Sequence, residues 1–307
     1  EIAVGDVDVL HANYWLSATA AHRLKHEFDL PLVATFHTLA RVKADAGDAE
    51  PEARERAELE VIGCCDTICA SNPVEADQLI DLYGAAPERI ELVPPGVDHA
   101  FFSPGDRCGA RAALGLDERP TLLFVGRIQP LKGVGIAIRA LAELDGSTRL
   151  LVVGGPSGAD GQDELENVQA LIDELDVRSR VQFVDPQPHH LLSTYYRAAD
   201  VVVVPSRSES FGLVALEAAA CGVPVVAAAV GGLRSLVQDG ETGYLVDSRD
   251  PIEFAKRIND VLVDDALAER MGRAAALEAR RYAWSVTAGR LRRRYADLNV
   301  RTLVECQ

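Results

Sequence analysis

The sequence lacks the marks of a membrane or secreted protein. No apolar run reaches the ~18 residues that a membrane-spanning helix needs. The chain opens Glu1-Ile2-Ala3, without the basic start and the apolar core of a secretory signal. It also has no initiator Met, so the natural N-terminus was either removed or lies upstream. We therefore expect a cytoplasmic protein that does not insert into membranes.

Positive charge is in short supply. Lys and Arg number 31 against 47 Asp and Glu, which gives a formal net charge of −16. An acidic surface repels the phosphate backbone of DNA and RNA, so a nucleic-acid partner is not expected. A small anionic substrate remains compatible with this balance, because local basic residues can override the global field.

Cysteine is sparse and poorly arranged for a metal site. The six cysteines are Cys64, Cys65, Cys69, Cys108, Cys221 and Cys306. The close group Cys64-Cys65-x-x-x-Cys69 has neither a matching second pair nor a neighbouring His, so we predict no zinc site there and no metal ligands elsewhere. These three residues are expected as small apolar side chains at a helix end and on the following strand. A reduced protein fits this pattern best.

Apolar strands alternate with helices along the whole chain, and 307 residues suit two domains. This alternation predicts parallel sheets covered on both faces, with ligands bound in a cleft at the carboxyl ends of the strands. A stretch rich in Pro and Gly, residues 94–106, interrupts the pattern. We predict a first Rossmann-like domain over residues 1–98, a linker over 99–118, a second domain over 119–281, and a C-terminal helix over 282–307 that crosses back to the first domain. The basic side of that last helix is expected to be a solvated face.

One candidate phosphate site follows the first strand of the second domain. Its sequence is Val125-Gly126-Arg127-Ile128-Gln129-Pro130-Leu131-Lys132-Gly133. One Arg side chain can bind two phosphate oxygens at once, and Lys acts as a point charge. The glycine spacing and the ending of a Walker loop are absent. Taken alone, this pattern is explained equally well by a surface Arg and a surface Lys.

A second candidate is the start of the helix near residues 211–212. The N–H groups and the positive dipole end of such a helix attract anions. Glu209 lies just before the helix, and Glu217 lies two turns inside it among apolar residues, where a carboxylate needs a partner. Carboxylates suit neighbouring hydroxyls, so one Glu is expected to hold a sugar and the other a ribose. A glycine-rich turn at residues 154–158 is as consistent with a plain turn as with ligand contact.

Together these segments resemble the family-4 retaining glycosyltransferases of the GT-B fold, which combines two Rossmann-like domains. The carrying motifs are Gly126-Arg127 with Lys132-Gly133, Glu209-x7-Glu217, Gly222-Val223-Pro224-Val225-Val226-Ala227, Gly231-Gly232-Leu233, Pro95-Gly96-Val97-Asp98 and Asp239-Gly240-x-Thr242-Gly243. The resemblance implies donor contacts from Arg127, Lys132, Glu209, Ser210, Phe211, Gly212, Leu213 and Glu217. It implies a UDP-sugar as substrate and no cofactor for catalysis; a structural Mg²⁺ and a homodimer stay open.

The first domain is similar to the mycothiol-pathway members of this family, which transfer N-acetylglucosamine from its UDP form to 1D-myo-inositol 3-phosphate. The similarity rests on His11-Ala12-Asn13-Tyr14-Trp15-Leu16-Ser17 and on Thr35-Phe36-His37-Thr38-Leu39-Ala40-Arg41-Val42-Lys43. It implies that an anionic acceptor, a phosphorylated polyol, contacts Tyr14, Thr38, Lys43 and Arg54. It also implies that His37 and Glu209 are the catalytic residues. Read without the resemblance, Arg54 pairs with Glu58 one helical turn on.

Two departures from the family pattern bear on activity. Gln187 stands where the mycothiol-pathway enzymes tend to have Arg near the nucleotide. The family's leading strand–helix units, with a glycine-rich loop and a basic residue for the acceptor phosphate, are missing, so we expect the chain by itself to be inactive or weakly active.

Three alternatives remain to a transfer of N-acetylglucosamine to a phosphorylated cyclitol. One is a related sugar transferase with a sucrose-phosphate-type or aminocyclitol acceptor. Another is an inactive, truncated donor-binding fragment. The third is an epimerase or phosphorylase on the same fold. The sequence shows no lysine in a setting that would suit a pyridoxal cofactor. Asp6-Val7-Asp8 imitates the metal motif of the other glycosyltransferase fold, but it precedes a strand outside the donor domain, so we expect no metal there.

Overall fold

The structure is a computed structural model that describes residues 7–48, 50–158, 160–299 and 304. Asp6 of the metal-like motif, the residues Glu1-Ile2-Ala3 and Cys306 lie outside these ranges. The chain divides into two compact units. Unit 1 comprises Glu1–Gly96 and Trp284–Gln307, and unit 2 comprises Val97–Ala283. None of the helices in the described ranges is long and apolar enough to cross a membrane.

Unit 1 alternates strands and helices around a parallel sheet. Its described elements are β1 (Leu10–Asn13), α1 (Trp15–Phe28), β2 (Leu32–Thr35), α2 (Ala40–Asp45), α3 (Glu52–Cys64), β3 (Thr67–Ala70), α4 (Pro73–Tyr83), β4 (Ile90–Leu92) and α13 (Trp284–Leu298). The sheet order is β1-β2-β3-β4, with each strand parallel to its neighbour. The carboxyl ends of the strands therefore meet at one edge of the sheet.

The helix α13 packs on the sheet of unit 1. Leu298 shares a buried apolar cluster with Val33 of β2 and Cys69 of β3. Arg294 donates from Nε to the Thr67 hydroxyl (2.7 Å), and Arg290 donates to the Leu92 carbonyl (2.8 Å). Arg292 and Arg293 of the predicted solvated face are exposed, whereas Arg290 and Arg294 are half-buried and each donates to a polar group of a strand.

Unit 2 has the larger sheet. Its described elements are α5 (Arg107–Ala113), β5 (Thr121–Val125), α6 (Val134–Ala142), β6 (Arg149–Val153), α7 (Gly161–Glu174), β7 (Val181–Val184), α8 (Leu192–Ala198), β8 (Val201–Val204), α9 (Leu213–Ala220), β9 (Val225–Ala228), α10 (Leu233–Leu236), β10 (Gly243–Val246), α11 (Pro251–Leu262) and α12 (Asp265–Ala279). The strand order is β10-β9-β8-β5-β6-β7, and all pairs are parallel.

This order places the first strand of unit 2 in the middle of its sheet. The chain moves outward from β5 through β6 to β7, then returns to the other side of β5 at β8. Such a reversal leaves a crevice at the carboxyl ends of the two central strands, where ligands bind in open α/β sheets. Buried side chains of α6, α7 and α11 cover one face of the sheet, and those of α8 and α9 cover the other.

Most of the predicted elements form, with a few differences. The helix α2 and the strand β10 were not predicted, because each is short and carries a weak pattern. Residues 99–118, expected as a linker, contain α5 and cluster with unit 2. The helix expected from His189 begins as a 3₁₀ turn and becomes α-helical at Leu192.

The cysteines follow the expectation only in part. Cys64 ends α3, and Cys69 lies buried in β3, as predicted. Cys65, Cys69, Cys108 and Cys221 are free thiols, but Cys64 is disulfide-bonded, which corrects the expectation that the described cysteines are reduced.

Candidate functional site

An ion pair joins the ends of the two central strands of unit 2. Lys132 follows β5, Glu209 follows β8, and their Nζ and Oε2 atoms are 2.7 Å apart. The Ser206 hydroxyl lies 3.4 Å from the same carboxylate oxygen. Arg127, directly after β5, is exposed and has no hydrogen-bond or ion-pair partner in the described part of the chain. The strand-order reversal thus carries a free guanidinium beside a paired cation and carboxylate.

Glycines hold the two loops in place by close backbone approach. Gly133 has φ +71°, and a Cβ there would lie 2.3 Å from the Pro205 carbonyl oxygen, so the loop after β5 packs on the end of β8. Gly231 has φ +45°, and a Cβ there would lie 2.0 Å from the Glu209 carbonyl oxygen. That carbonyl accepts a hydrogen bond from the Gly232 N–H (2.9 Å). The position of Glu209 is therefore fixed by backbone contacts.

The helix α9 starts beside this ion pair. Gly212 occupies the N-cap with φ 102° and gives no side-chain hydrogen bond to the first turn. The N–H groups of that turn and the positive end of the helix dipole therefore favour an anion. Phe211 before the cap is buried and packs on Tyr282, whereas Leu213 after it is exposed. In the segment after β8, Phe211 and Gly212 are therefore buried, Ser210 is half-buried, and Leu213 reaches the surface.

Glu217 is buried inside α9, and both of its oxygens are engaged. The Tyr196 hydroxyl donates to Oε2 (2.7 Å), and His189 Nε2 lies 2.7 Å from Oε1. Burial first, and then the Glu217 charge, raises the pKa of Tyr196 well above its ordinary value, so the phenol stays protonated. The His189 side chain is 64% exposed, so its place on Glu217 is open to exchange with a ligand hydroxyl.

Tyr196 and His189 were missed as site residues. Tyr196 lies in α8, and nothing in the sequence linked its hydroxyl to Glu217. Buried Glu217 did signal the need for a partner. The identity of the partner depends on how α8 packs on α9, and the sequence alone does not show this packing.

Two residues with unusual backbone mark the strand ends of unit 1. Tyr14 after β1 has φ 73°, and His37 after β2 has φ 62°. Positive φ is unfavourable for such bulky residues and clusters at functional sites. His37 Nε2 lies 2.9 Å from the Asn13 amide oxygen, and burial lowers its pKa, which favours a neutral imidazole at pH 7. Asn13 was a further residue that the sequence did not single out.

Arg54 brings three predicted acceptor residues together. Its Nη2 donates to the Thr38 carbonyl (2.9 Å) and hydroxyl (2.8 Å), and its guanidinium carbon lies 5.2 Å from the centre of the Tyr14 ring. Arg54 is also buried and paired with two carboxylates, Glu58 (2.8 Å) and Glu50 (3.0 Å). The simple pairing with Glu58 is therefore real, and it coexists with the contacts to Thr38 and Tyr14.

Lys43, the fourth predicted acceptor residue, joins the same network. Its Nζ lies 2.8 Å from Asp48 and also contacts Glu50. Burial lowers the pKa of Lys43, but the hydrogen bonds and charges of Asp48 and Glu50 outweigh burial and raise it overall. Both cations of this site are thus neutralised by carboxylates.

Comparison with known proteins gives this chain a family. Residues 109–278 match the family "Glycosyl transferases group 1", and residues 1–101 match "Glycosyltransferase Family 4". The D-inositol 3-phosphate glycosyltransferase of Acidothermus cellulolyticus is 48% identical over 92% of this chain. That of Frankia alni is 46% identical over 95% of this chain and 74% of its own length. The chain spans only 65% of the Acidothermus relative and 60% of the relative from Mycobacterium sp. (strain KMS).

Solved structures agree. Sucrose-phosphate synthase from Thermosynechococcus elongatus is 34% identical, with a TM-score of 0.88 over 94% of this chain and 73% of its own. HepE from Anabaena, solved in complex with UDP and glucose, is 23% identical, with a TM-score of 0.86 over 94% of this chain and 78% of its own. The predicted GT-B class, with two parallel-sheet α/β domains, is confirmed. This chain is therefore a member of the group 1 glycosyl transferases.

Proposed function

We propose that the chain is the donor-binding part, and much of the acceptor part, of a retaining glycosyltransferase. The proposed reaction moves N-acetylglucosamine from a UDP-sugar to a phosphorylated polyol such as 1D-myo-inositol 3-phosphate. The observation that carries the donor half is the Lys132–Glu209 pair at the strand-order reversal, next to the uncapped start of α9. The acceptor half rests on the relatives named D-inositol 3-phosphate glycosyltransferase.

In this proposal the diphosphate of the donor binds Arg127, Lys132 and the first N–H groups of α9. Arg127 is exposed and free to turn toward phosphate, and the helix start adds backbone donors without a competing side-chain cap. Ser210 to Leu213 supply that backbone. Glu209 then accepts hydrogen bonds from sugar hydroxyls once Lys132 turns to phosphate.

Glu217 is proposed to hold the ribose. A carboxylate has about four lone-pair positions, and Tyr196 and His189 occupy one on each oxygen. Tyr196 is buried and fixes the carboxylate, whereas His189 is mostly exposed and can yield to a ribose hydroxyl. The role of Tyr196 is therefore positioning rather than contact with the substrate.

The same cations stabilise the leaving group. When the bond between the sugar carbon and the diphosphate oxygen breaks, negative charge develops on that diphosphate. Once the donor is bound and Lys132 has turned to its phosphate, Arg127, Lys132 and the α9 dipole face developing charge of this sign, and electrostatic stabilisation of that kind accelerates such reactions. The acceptor hydroxyl attacks the same face of the sugar, and no protein carboxylate is required as a covalent nucleophile.

The acceptor is proposed to bind at Tyr14, Thr38, Lys43 and Arg54, with His37 as the catalytic residue of unit 1. The positive φ of Tyr14 and His37 supports this assignment, because strain of this kind is retained where function requires it. Glu50 already neutralises part of both cations, so a phosphate must displace a carboxylate from Lys43 rather than fill an open positive pocket.

One alternative acceptor has an observation in its favour. Sucrose-phosphate synthase shares 34% identity and a TM-score of 0.88 with this chain, so a hexose phosphate is the second candidate. The third outcome is an isolated chain that binds donor but transfers no sugar. It differs from the other two because donor binding is kept while transfer to either acceptor is absent.

The donor assignment is tested by thermal shift against UDP-, GDP- and ADP-sugars. We expect a shift with UDP-sugars alone, and its loss in Arg127→Ala and Glu217→Ala. Arg234→Ala is the matched control, because Arg234 is an exposed cation of the same unit paired only with Asp247 in the described part of the chain. An unchanged shift in both site variants would overturn the assignment.

The acceptor assignment is tested by tryptophan fluorescence. The chain has two Trp, both in unit 1, and Trp15 adjoins Tyr14. With UDP-sugar present, we expect 1D-myo-inositol 3-phosphate to change the emission, and myo-inositol or a hexose 6-phosphate to act at least ten-fold more weakly. Lys43→Gln should weaken the response, whereas Lys256→Gln, an exposed lysine of α11, should not. A stronger response to the hexose phosphate would select the second candidate.

A further inference from the structure

A cluster of metal-ligating side chains lies in unit 1, away from the candidate acceptor residues. His22 and His26 are four residues apart on α1, and Cys64 is the last residue of α3. The Nε2 atoms of the two histidines are 3.1 Å apart, and Cys64 Sγ lies 3.4 Å from His26 Nε2. All three ligand atoms fall within 4.8 Å of one another.

These distances match those between ligands of a tetrahedral zinc ion. Zn–N bonds of about 2.0–2.1 Å and a Zn–S bond of about 2.3 Å put neighbouring ligands about 3.3 Å (N to N) and about 3.6 Å (N to S) apart at the tetrahedral angle. The observed separations of 3.1 and 3.4 Å are each about 0.2 Å shorter. The third pair, His22 and Cys64, lies within 4.8 Å, so modest movements of the side chains would bring all three ligands to one ion.

The surroundings of the cluster also suit a metal. Glu60 Oε1 lies 3.5 Å from His22 Nδ1, the ring nitrogen that points away from the cluster. Metal-bound histidines commonly donate this second N–H to a carboxylate, which fixes the ring and raises the basicity of the ligand atom. The Lys25 ammonium donates to the Cys64 carbonyl (2.8 Å) and to Asp66 (2.7 Å), which anchors the end of α3 to α1. His26 is exposed and leaves a path for the ion.

We propose that His22, His26 and Cys64 bind one Zn²⁺ ion in the reduced protein. Two imidazole nitrogens and a thiolate form a ligand set that favours borderline transition metals over Mg²⁺ or Ca²⁺. A water or a further donor completes the tetrahedron. The ion would tie α1 to the end of α3 and so stabilise unit 1.

The site depends on the redox state of Cys64, which is disulfide-bonded in the structure. A dithiol reductant opens that bond: the reductant becomes a cyclic disulfide, and its two electrons and two protons convert the protein disulfide into two thiols. The Cys64 thiol loses its proton when it binds the metal. Exchange with a small-molecule disulfide, which is reduced to two thiols as the protein thiols are oxidised to a disulfide, would reverse this and release the ion.

Titration of the full chain with Co²⁺, as a coloured substitute for Zn²⁺, tests the proposal. In protein reduced with a phosphine, we expect one equivalent to bind, with the absorption bands of a tetrahedral ion and of a cobalt–thiolate bond, and Zn²⁺ to displace it. His26→Ala should weaken binding at least ten-fold, and Cys64→Ser should remove the thiolate band. His190→Ala and Cys108→Ser are matched controls on exposed residues of unit 2 and should bind as wild type does.

Two further measurements separate binding from folding. Glu60→Gln should weaken the affinity about 10–100-fold, whereas Glu52→Gln, an exposed residue of the same helix, should leave it unchanged. Zn²⁺ should raise the unfolding midpoint followed by tryptophan emission in the wild type but not in His26→Ala. Absence of stoichiometric binding to the reduced chain would overturn the proposal, as would a thiolate band in the oxidised chain or unchanged affinity in His26→Ala with native circular dichroism.

Discussion

The carboxylate of Glu58 organises the interior of unit 1 and offers the sharpest stability test. Its side chain is fully buried. Oε1 accepts from Arg54 Nε (2.8 Å), and Oε2 accepts from the Ala40 N–H (2.9 Å) and from the Tyr83 hydroxyl (2.6 Å). One carboxylate therefore joins α3 to the start of α2 and to the end of α4.

The cost of removing this carboxylate follows from what it leaves behind. In Glu58→Ala the N–H of Ala40 and the hydroxyl of Tyr83 lose their acceptor, at about 1–3 kcal/mol for each buried donor left unpaired. Arg54 also loses one of its two carboxylates inside the protein, and breaking a buried ion pair typically costs about 3–5 kcal/mol. Because Glu50 still pairs with Arg54, only part of the ion-pair cost applies, and we expect a total loss of about 4–6 kcal/mol. Glu58→Gln keeps an oxygen acceptor but no charge and should cost about 1.5–3 kcal/mol.

The assay is urea unfolding followed by tryptophan emission, which reports on unit 1 because Trp15 and Trp284 both lie there. The expected order of the free energy of unfolding is wild type, Glu58→Gln, Glu58→Ala. Glu52→Gln, on the exposed face of α3, controls for loss of charge near the helix start and should cost at most about 1 kcal/mol. A loss below about 1 kcal/mol in Glu58→Ala would refute the reasoning, since it would mean that the three donors find other acceptors.

Three other changes test separate parts of the structure. Tyr196→Phe removes a donor from buried Glu217 and should lower the calorimetric stability of unit 2 by about 1–3 kcal/mol, together with a weaker affinity for nucleotide sugar; an unchanged affinity would contradict the positioning role. Burial lowers the pKa of His11, so the unfolded chain binds a proton more readily than the folded one, and the stability of unit 1 should fall as pH drops below about 6.5. Urea titrations at pH 7 and pH 5 should show a smaller loss of stability in His11→Gln than in the wild type. An equal loss in both would count against this cause. Glu209→Gln frees Lys132 from its carboxylate. In calorimetric titrations this change should tighten UDP binding and reduce the preference for UDP-sugar over UDP. Weaker binding of UDP would contradict the proposal that Lys132 exchanges Glu209 for phosphate.

The architecture could be predicted from the sequence because the signals for helices and strands lie in neighbouring residues. The strand Val201–Val204 is an unbroken apolar run, and the structure buries all of it as a central strand. Asn72 followed by Pro73 is a pattern typical of a helix start, and the Asn72 side chain accepts from the Glu75 N–H (3.0 Å) as such a cap should. Signals of this kind need no knowledge of distant residues. The strand β10 is only four residues long, and its short apolar stretch was too weak a signal to predict a strand.

The pairing of charged side chains could be predicted from the sequence much less well than the architecture. Arg54 with Glu58 was foreseen from helical spacing, whereas Glu50, in the preceding loop, was not. His22 and His26 lie some forty residues before Cys64, so the absence of a neighbouring His in the sequence said nothing about the space around the thiol. Side-chain partners between elements are set by packing, and one sequence does not reveal which faces meet.

Each candidate site holds a lysine against a carboxylate, which suits a chain of net charge −16. Lys132 is paired with Glu209, and Lys43 is paired with Glu50. An anion that takes either lysine must leave a carboxylate without its cation, at a cost that grows as water is excluded. Inorganic phosphate cannot repay that cost, since it offers no cation and few donors to the released oxygen atoms. A nucleotide sugar carries phosphate and sugar hydroxyls together, so its phosphate can take Lys132 while its hydroxyls donate to Glu209. A ligand that presents both groups at once can therefore satisfy both members of the ion pair, and this is the physical reason for proposing a nucleotide sugar as its ligand.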